Sequence, residues 1–232
     1  MENVHTYDKV PDPAFPFDIR LRLAPLTSTL TRETRDDILD ATRGSFTSQA
    51  FEWAPAALGS QLRFVRYFGQ YFKYVPLAKP SEIPWSSGLR KTRLVYAGGV
   101  RGGLATGLGG QNLVPSERFF AGGGTTIRGF KQNGLGPLDS LGNAQGGNGL
   151  FLINNELRFP GIGIFDGVAF ADIGNVFKTA SDFSIAGLRK TGGMGLRVRT
   201  PYFLIRFDYG FKLDRRPGES IGNFFFSIGQ AF

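Results

Sequence analysis

Residues 203–214 read Phe203-Leu204-Ile205-Arg206-Phe207-Asp208-Tyr209-Gly210-Phe211-Lys212-Leu213-Asp214. The odd positions (Phe203, Ile205, Phe207, Tyr209, Phe211, Leu213) are all apolar or aromatic. The even ones (Leu204, Arg206, Asp208, Gly210, Lys212, Asp214) are almost all charged or small. Successive side chains of a strand point to opposite faces, so the spacing predicts a strand with one apolar and one polar face. A soluble antiparallel sheet with one wet face gives the same alternation. Length separates the two, because a tilted membrane-crossing strand needs ~9–11 residues while ordinary strands centre on ~5–6. This stretch is long enough to cross.

The alternation recurs outward from there. Phe151, Ile153, Leu157 and Phe159 alternate with Leu152, Asn154, Glu156 and Arg158. Met194, Leu196 and Val198 alternate with Gly195, Arg197 and Arg199, and Leu94, Tyr96 and Val100 with Arg93, Ala97 and Arg101. At the end, Phe224, Phe226, Ile228 and Phe232 share one face, and Asn223, Ser227 and Gly229 the other. Less regular segments near 24–35, 45–54, 63–75 and 167–177 bring the count to nine strands. Pro76, Pro160 and Pro201 close three of them, and glycine clusters mark other ends. The segment 108–149 is too long for a hairpin turn, and transmembrane barrels carry short turns on one side and long loops on the other. With a periplasmic C-terminus, counting back five strands places this loop outside the cell. The segment 77–90 is longer than a periplasmic turn needs.

Composition supports strands and excludes several function classes. Glycine supplies 33 of 232 residues, about twice the usual share, and phenylalanine 23. There is no cysteine, hence no disulfide framework and no thiolate metal site. The single histidine, His5, leaves little material for a Ser-His-Asp triad or a histidine-rich zinc site. No metal, cofactor or enzymatic activity is expected. The net charge of +8 is spread along the strand-like segments, which suits a polar barrel lining better than a nucleic-acid patch. No apolar run reaches the ~18 residues of a transmembrane helix, and residues 1–17 carry acids and prolines where a signal peptide needs an apolar stretch.

The stretch Pro115-Ser116-Glu117-Arg118-Phe119-Phe120-Ala121-Gly122-Gly123-Gly124-Thr125-Thr126-Ile127-Arg128-Gly129-Phe130 resembles the long-loop signature of Omp85 barrels, the bacterial surface antigen D15 family. In that family a (Val/Ile)-Arg-Gly-(Phe/Tyr) tetrad follows an aromatic-Ala-Gly-Gly lead-in, with five strands still to come, as here. Asn155-Glu156-Leu157-Arg158-Phe159-Pro160, Phe170 to Phe177, Gly193 to Pro201, Arg206 to Gly210 and Phe226 to Phe232 resemble those five strands in order. Upstream, Thr34-Arg35-Asp36-Asp37 with Thr42-Arg43-Gly44 resembles the hairpin before the central strands. The resemblance covers residues 24–232. It implies an all-β, antiparallel transmembrane barrel in the bacterial outer membrane, of whose roughly sixteen strands this chain supplies about the last nine. Residues 1–23 are a leader or the remnant of a preceding strand. Nine strands leave two open edges, which lipid does not tolerate. The chain is therefore a fragment, is completed by another chain, or forms a smaller barrel, and the first is favoured.

The resemblance also implies a site. Arg128 of the tetrad Ile127-Arg128-Gly129-Phe130 would bring the loop back into the barrel and pair there with Glu156 and Asp172. Alternation puts Glu156 on the polar face, but Asp172 shares its parity with Val168 and Phe170, which leaves its face open. Three unrelated surface charges are the bland alternative. Gly129 would permit a turn or close approach, and Phe130 would pack on the wall. Phe203, Ile205, Phe207, Phe211, Phe224, Phe226 and Ile228 would face lipid, and Phe232 would be the terminal aromatic read by the assembly machinery. Gly122, Gly123 and Gly124 lack the Gly-Lys-Ser/Thr of a phosphate loop. The aromatics beside Arg197, Arg199 and Arg206 lie on the opposite face from them, which argues against nucleic-acid stacking. The implied function is outer-membrane protein insertion or translocation through a barrel with a labile seam. Its partners would be outer-membrane lipid, unfolded client proteins, and N-terminal strands with POTRA domains or a completing chain. The alternative is a passive pore or structural barrel whose loop is a plug; an enzyme remains only if a catalytic domain precedes the barrel.

Overall fold

The computed structural model describes residues 2–7, 18–78, 94–200 and 203–229. Among them are eleven strands and no α-helix, with only short 3-10 turns between strands. A two-stranded sheet pairs β1 (Glu2–Tyr7) with β2 (Asp18–Leu23). The other nine form one antiparallel sheet in strict sequence order: β3 (Leu26–Glu33), β4 (Gly44–Ala54), β5 (Phe64–Ala78), β6 (Leu94–Gly107), β7 (Gly149–Pro160), β8 (Phe165–Phe177), β9 (Arg189–Arg199), β10 (Leu204–Lys212) and β11 (Gly222–Ile228). Every neighbour is joined by the next connection in the chain, the up-and-down order of a barrel wall. Among the described residues the wall is not closed, because β3 and β11 each pair on one side only.

Strand length and burial follow the alternation. Seven of the nine strands have nine or more residues, enough to cross a bilayer when tilted. On β10, Leu204, Arg206, Asp208 and Gly210 are buried, whereas Tyr209 and Phe211 are exposed. On β6 the buried set is Val95, Ala97, Gly99, Arg101, Gly103 and Ala105, and on β7 it includes Leu152, Asn154, Glu156 and Arg158. The opposite face presents Phe51, Trp53, Tyr67, Tyr71, Val100, Leu104, Leu157, Phe159, Met194 and Leu196, all exposed. A continuous apolar surface of this extent is too large for a water-soluble monomer and suits lipid.

The polar face is covered by its own chain. The segment 108–148 folds back over it, so that Leu113, Val114, Phe119, Ala121, Ile127, Phe130 and Leu135 of the loop form one buried cluster with Phe64, Ala105, Leu150, Leu152 and Val176 of the wall. The expectation of a polar lining needs amending accordingly. The inner face mixes charge with aliphatic side chains because it packs against a loop. That mixture explains why β8 reads poorly from sequence: Val168, Phe170, Asp172, Gly174 and Val176 all point inward. Of the segment 77–90, expected as a long periplasmic turn, Leu77 and Ala78 belong to β5, and residues 79–90, like the terminal Phe232, lie outside the described residues.

Candidate functional site

Ile127-Arg128-Gly129-Phe130 lies fully buried against the inner face of β7 to β10, and the structure brings Arg128 together with Glu156 and Asp172. The guanidinium binds Asp172 as a fork, with Nε donating to Oδ2 at 2.8 Å and Nη2 to Oδ1 at 2.9 Å. The third corner, Nη1, donates to Glu156 Oε2 at 2.6 Å. The Arg128 main-chain N–H also donates to Asp172 Oδ2 at 3.1 Å, so this carboxylate fixes backbone and side chain at once. Beneath the guanidinium lies the Phe170 ring, 3.5 Å from its carbon to the ring centroid. Arginine alone offers a permanent charge, a planar fork for two carboxylates and a flat face for an aromatic ring.

The glycines of the inner face make room for this approach. A Cβ on Gly210 would stand 2.6 Å from Arg128 C and Gly129 N, so the loop backbone rests directly on β10. Gly129 has φ +102°, a conformation that favours glycine, and a Cβ there would stand 3.2 Å from Gly210 O and from Thr191 Cγ2. Its carbonyl accepts a hydrogen bond from Asn223 Nδ2 at 2.6 Å, tying the tetrad to β11. Phe130 does pack on the wall, held between Arg189 at 4.7 Å and Lys212 at 4.8 Å from its centroid.

Several members of the site were not singled out from sequence. Asn154 Nδ2 donates to Thr126 O at 2.5 Å and to Asp172 Oδ1 at 2.9 Å. Arg101 Nη1 donates to Thr125 O at 2.6 Å and Arg206 Nη2 to Gly124 O at 3.0 Å, so two loop carbonyls just before the tetrad are held by wall arginines. Glu156 also accepts from Arg158 Nε at 2.8 Å and Arg197 Nη2 at 3.3 Å, and Arg197 Nη1 donates to Asp208 Oδ1 at 2.7 Å. The available signal was parity: Asn154, Arg158, Arg197, Arg206 and Asp208 all lie on polar faces in the alternation. Arg118, outside the tetrad, braces the loop internally, donating to Leu113 O at 2.9 Å and Gln145 O at 3.1 Å. Among the described residues no group of His, Asp or Glu could hold a metal ion.

Phe203, Phe211, Phe224, Phe226 and Ile228 are exposed, and Ile205 and Phe207 half-buried, on the face away from the loop. Phe207 packs against Phe224 and Phe226 across β10 and β11, forming an aromatic patch on that face.

An up-and-down antiparallel wall with an apolar exterior, an inner face packed by a long loop and a buried arginine clamp defines the class as an outer-membrane β-barrel segment. Comparison with known proteins makes this specific. The Omp85 superfamily domain matches residues 21–232, and the chain belongs to that superfamily. It is 31% identical over 209 residues to the outer membrane protein assembly factor BamA of Nitratidesulfovibrio vulgaris, covering 87% of this chain and 25% of that protein. It is 29% identical to the protein of the same name from Neisseria meningitidis over 182 residues, 64% of this chain and 23% of that one. The chain thus spans about a quarter of the length of these curated relatives. The crystal structure of BamA from Haemophilus ducreyi lacking POTRA domains 1-3 superposes with a TM-score of 0.74 at 19% identity, over 95% of this chain and 45% of that one. That likeness establishes the barrel fold, and the two bacterial relatives, at 29–31% identity, place the chain in the bacterial outer membrane.

Proposed function

We propose that this chain is the C-terminal barrel part of a factor that assembles or inserts outer-membrane proteins, working without chemical catalysis. In this reading the 108–148 loop sits inside the barrel, anchored by Arg128. The seam through which a client strand engages lies at an open sheet edge, and the remaining strands come from outside the chain. The observation that carries it is the buried Arg128–Glu156–Asp172 clamp on the inner wall, in a chain whose relatives bear the name assembly factor. A clamp of this kind suits a loop that must keep one position while a client passes the wall. Clients, lipid and POTRA domains are the partners that the reading requires.

The test uses the protein in lipid vesicles with an unfolded outer-membrane β-barrel as client. Arg128→Ala lowers the rate of client folding several-fold at unchanged protein level, while Lys131→Ala, at an exposed neighbouring side chain, leaves it alone. A client folding rate unaffected by Arg128→Ala refutes the reading.

A further inference from the structure

The turn between β3 and β4, residues 34–43, reaches far across the inner face. Its shape is set locally. Asp36 accepts hydrogen bonds from Thr42 N at 2.8 Å, Thr42 Oγ1 at 2.6 Å and Arg43 N at 3.1 Å, and Asp37 Oδ1 from Leu39 N at 2.7 Å and Asp40 N at 3.0 Å. The neck is closed by Thr34 N donating to Ser45 O at 2.9 Å and by Gly44 at φ +97°, where any Cβ would strike the Thr34 carbonyl. So braced, the turn carries Asp40 and Ala41 inward. Ala41 is 1% exposed and packs with Phe72, Tyr74 and Ala97. Asp40 Oδ2 meets Arg199 Nη1 at 2.7 Å, and Arg199 Nε meets Asp166 Oδ2 at 2.5 Å. Arg158 Nη1 donates to Ala41 O at 3.2 Å across 117 residues of sequence. In sheet order β9 is five strands from β4, about 24 Å along the wall at ~4.8 Å per strand. Only a turn crossing the curl of the sheet makes that contact.

The turn lies at the end of the wall away from the long loop. Gly44 pairs with Tyr74, Tyr74 with Ala97 and Ala97 with Glu156, whereas the loop leaves β6 at Gly107 and enters β7 at Gly149. The two segments nevertheless meet at one carboxylate. Glu156 Oε2 takes Arg128 Nη1 of the loop at 2.6 Å, and Glu156 Oε1 takes Arg158 Nε at 2.8 Å, the same guanidinium that holds Ala41.

We propose that residues 34–43 are a latch across the end of the barrel opposite the long loop, and that Glu156 couples latch to loop, so that release of either loosens the other. The coupling rests on the anchored-loop reading; the latch by itself does not. Its physical basis is that Glu156 is buried among three arginines, and one carboxylate with two fixed oxygens serves both segments only while both are in place. Such a device would report the state of one barrel mouth to the other.

The test is amide hydrogen exchange on the protein in lipid vesicles, followed at 36–43 and at 124–131. Asp40→Asn speeds exchange at 36–43 by about tenfold, and Arg158→Gln speeds it at both segments by a similar factor. Arg128→Ala speeds it at 124–131 and, through Glu156, at 36–43. Arg158→Lys and Arg128→Lys, which keep the charge and guard against loss of folding, act in the same directions but less. Unchanged protection at 36–43 in Asp40→Asn overturns the latch. If Arg128→Ala frees 124–131 alone, the coupling is overturned and the proposed function stands. If it frees neither segment, the anchor falls as well.

Discussion

Replacing Arg128 by alanine removes three side-chain hydrogen bonds and one ring contact from a site with almost no solvent. Breaking a buried ion pair at one partner costs ~3–5 kcal/mol, because the other charge stays desolvated. Here the two acids are not equally orphaned. Glu156 keeps Arg158 at 2.8 Å and Arg197 at 3.3 Å, so its charge stays paired, although its Oε2 loses the 2.6 Å contact that fixed the carboxylate's orientation toward Arg158. Asp172 keeps only neutral donors among the bonds described, Asn154 Nδ2 at 2.9 Å and the residue-128 main-chain N–H at 3.1 Å. The larger part of the loss therefore falls on Asp172, and the loop is destabilised by about 3 kcal/mol, the lower end of that range. Arg128→Lys keeps a charge but not the fork, and costs about half as much. Double-mutant cycles scored by protease access at 124–131 separate the arms: Arg128 with Asp172→Asn couples by about 2 kcal/mol or more, and with Glu156→Gln by a smaller but measurable amount, about 1 kcal/mol. Additive effects with Asp172, or a stronger coupling to Glu156, would refute the geometry on which this rests.

Three further expectations use other parts of the fold. Phe207→Lys or Phe226→Lys on the outer aromatic patch destabilises the folded barrel by ~2–4 kcal/mol in lipid, read by denaturant unfolding, whereas Ser140→Lys, exposed on the loop, does not. Gly210→Ala, whose Cβ would stand 2.6 Å from the Arg128 and Gly129 backbone, dislodges the tetrad and raises hydrogen exchange at 124–131; Gly102→Ala, whose Cβ would come no nearer than 4.0 Å to Leu150 O, leaves that segment protected. In the turn after β10, the hydrogen bond from Arg189 lowers the Glu219 carboxyl from 4.5 to about 2. A depressed folded value means stabilisation that is present above 4.5 and lost as pH falls toward 2, so exchange at 213–221 should rise over that window and Glu219→Gln should abolish the pH dependence.

The sequence by itself determined the wall. Alternation is a property of the extended backbone, so Phe203 to Asp214 and its counterparts declared nine strands, their order and, for most of them, which side chains share a face. The observed β10, Leu204–Lys212, differs from that reading only at its ends. Glu156 was placed on its face by parity, and Arg128 was singled out by its family-like tetrad. Tertiary structure decided what the inner face meets. Asp172 was ambiguous because β8 turns Val168, Phe170 and Val176 inward beside it, and a loop joining two other strands packs on Val176 and lays Arg128 over Phe170. Arg158, Arg197 and Arg206 looked like solvated lining until the chain brought Glu156, Asp208 and the Gly124 carbonyl to them. The same holds for Asp40, whose partner Arg199 lies five strands away. A strand's periodicity fixes the direction of each side chain over a few ångströms, but the identity of the group it finds there is set by the curl of the whole sheet and the path of a distant loop.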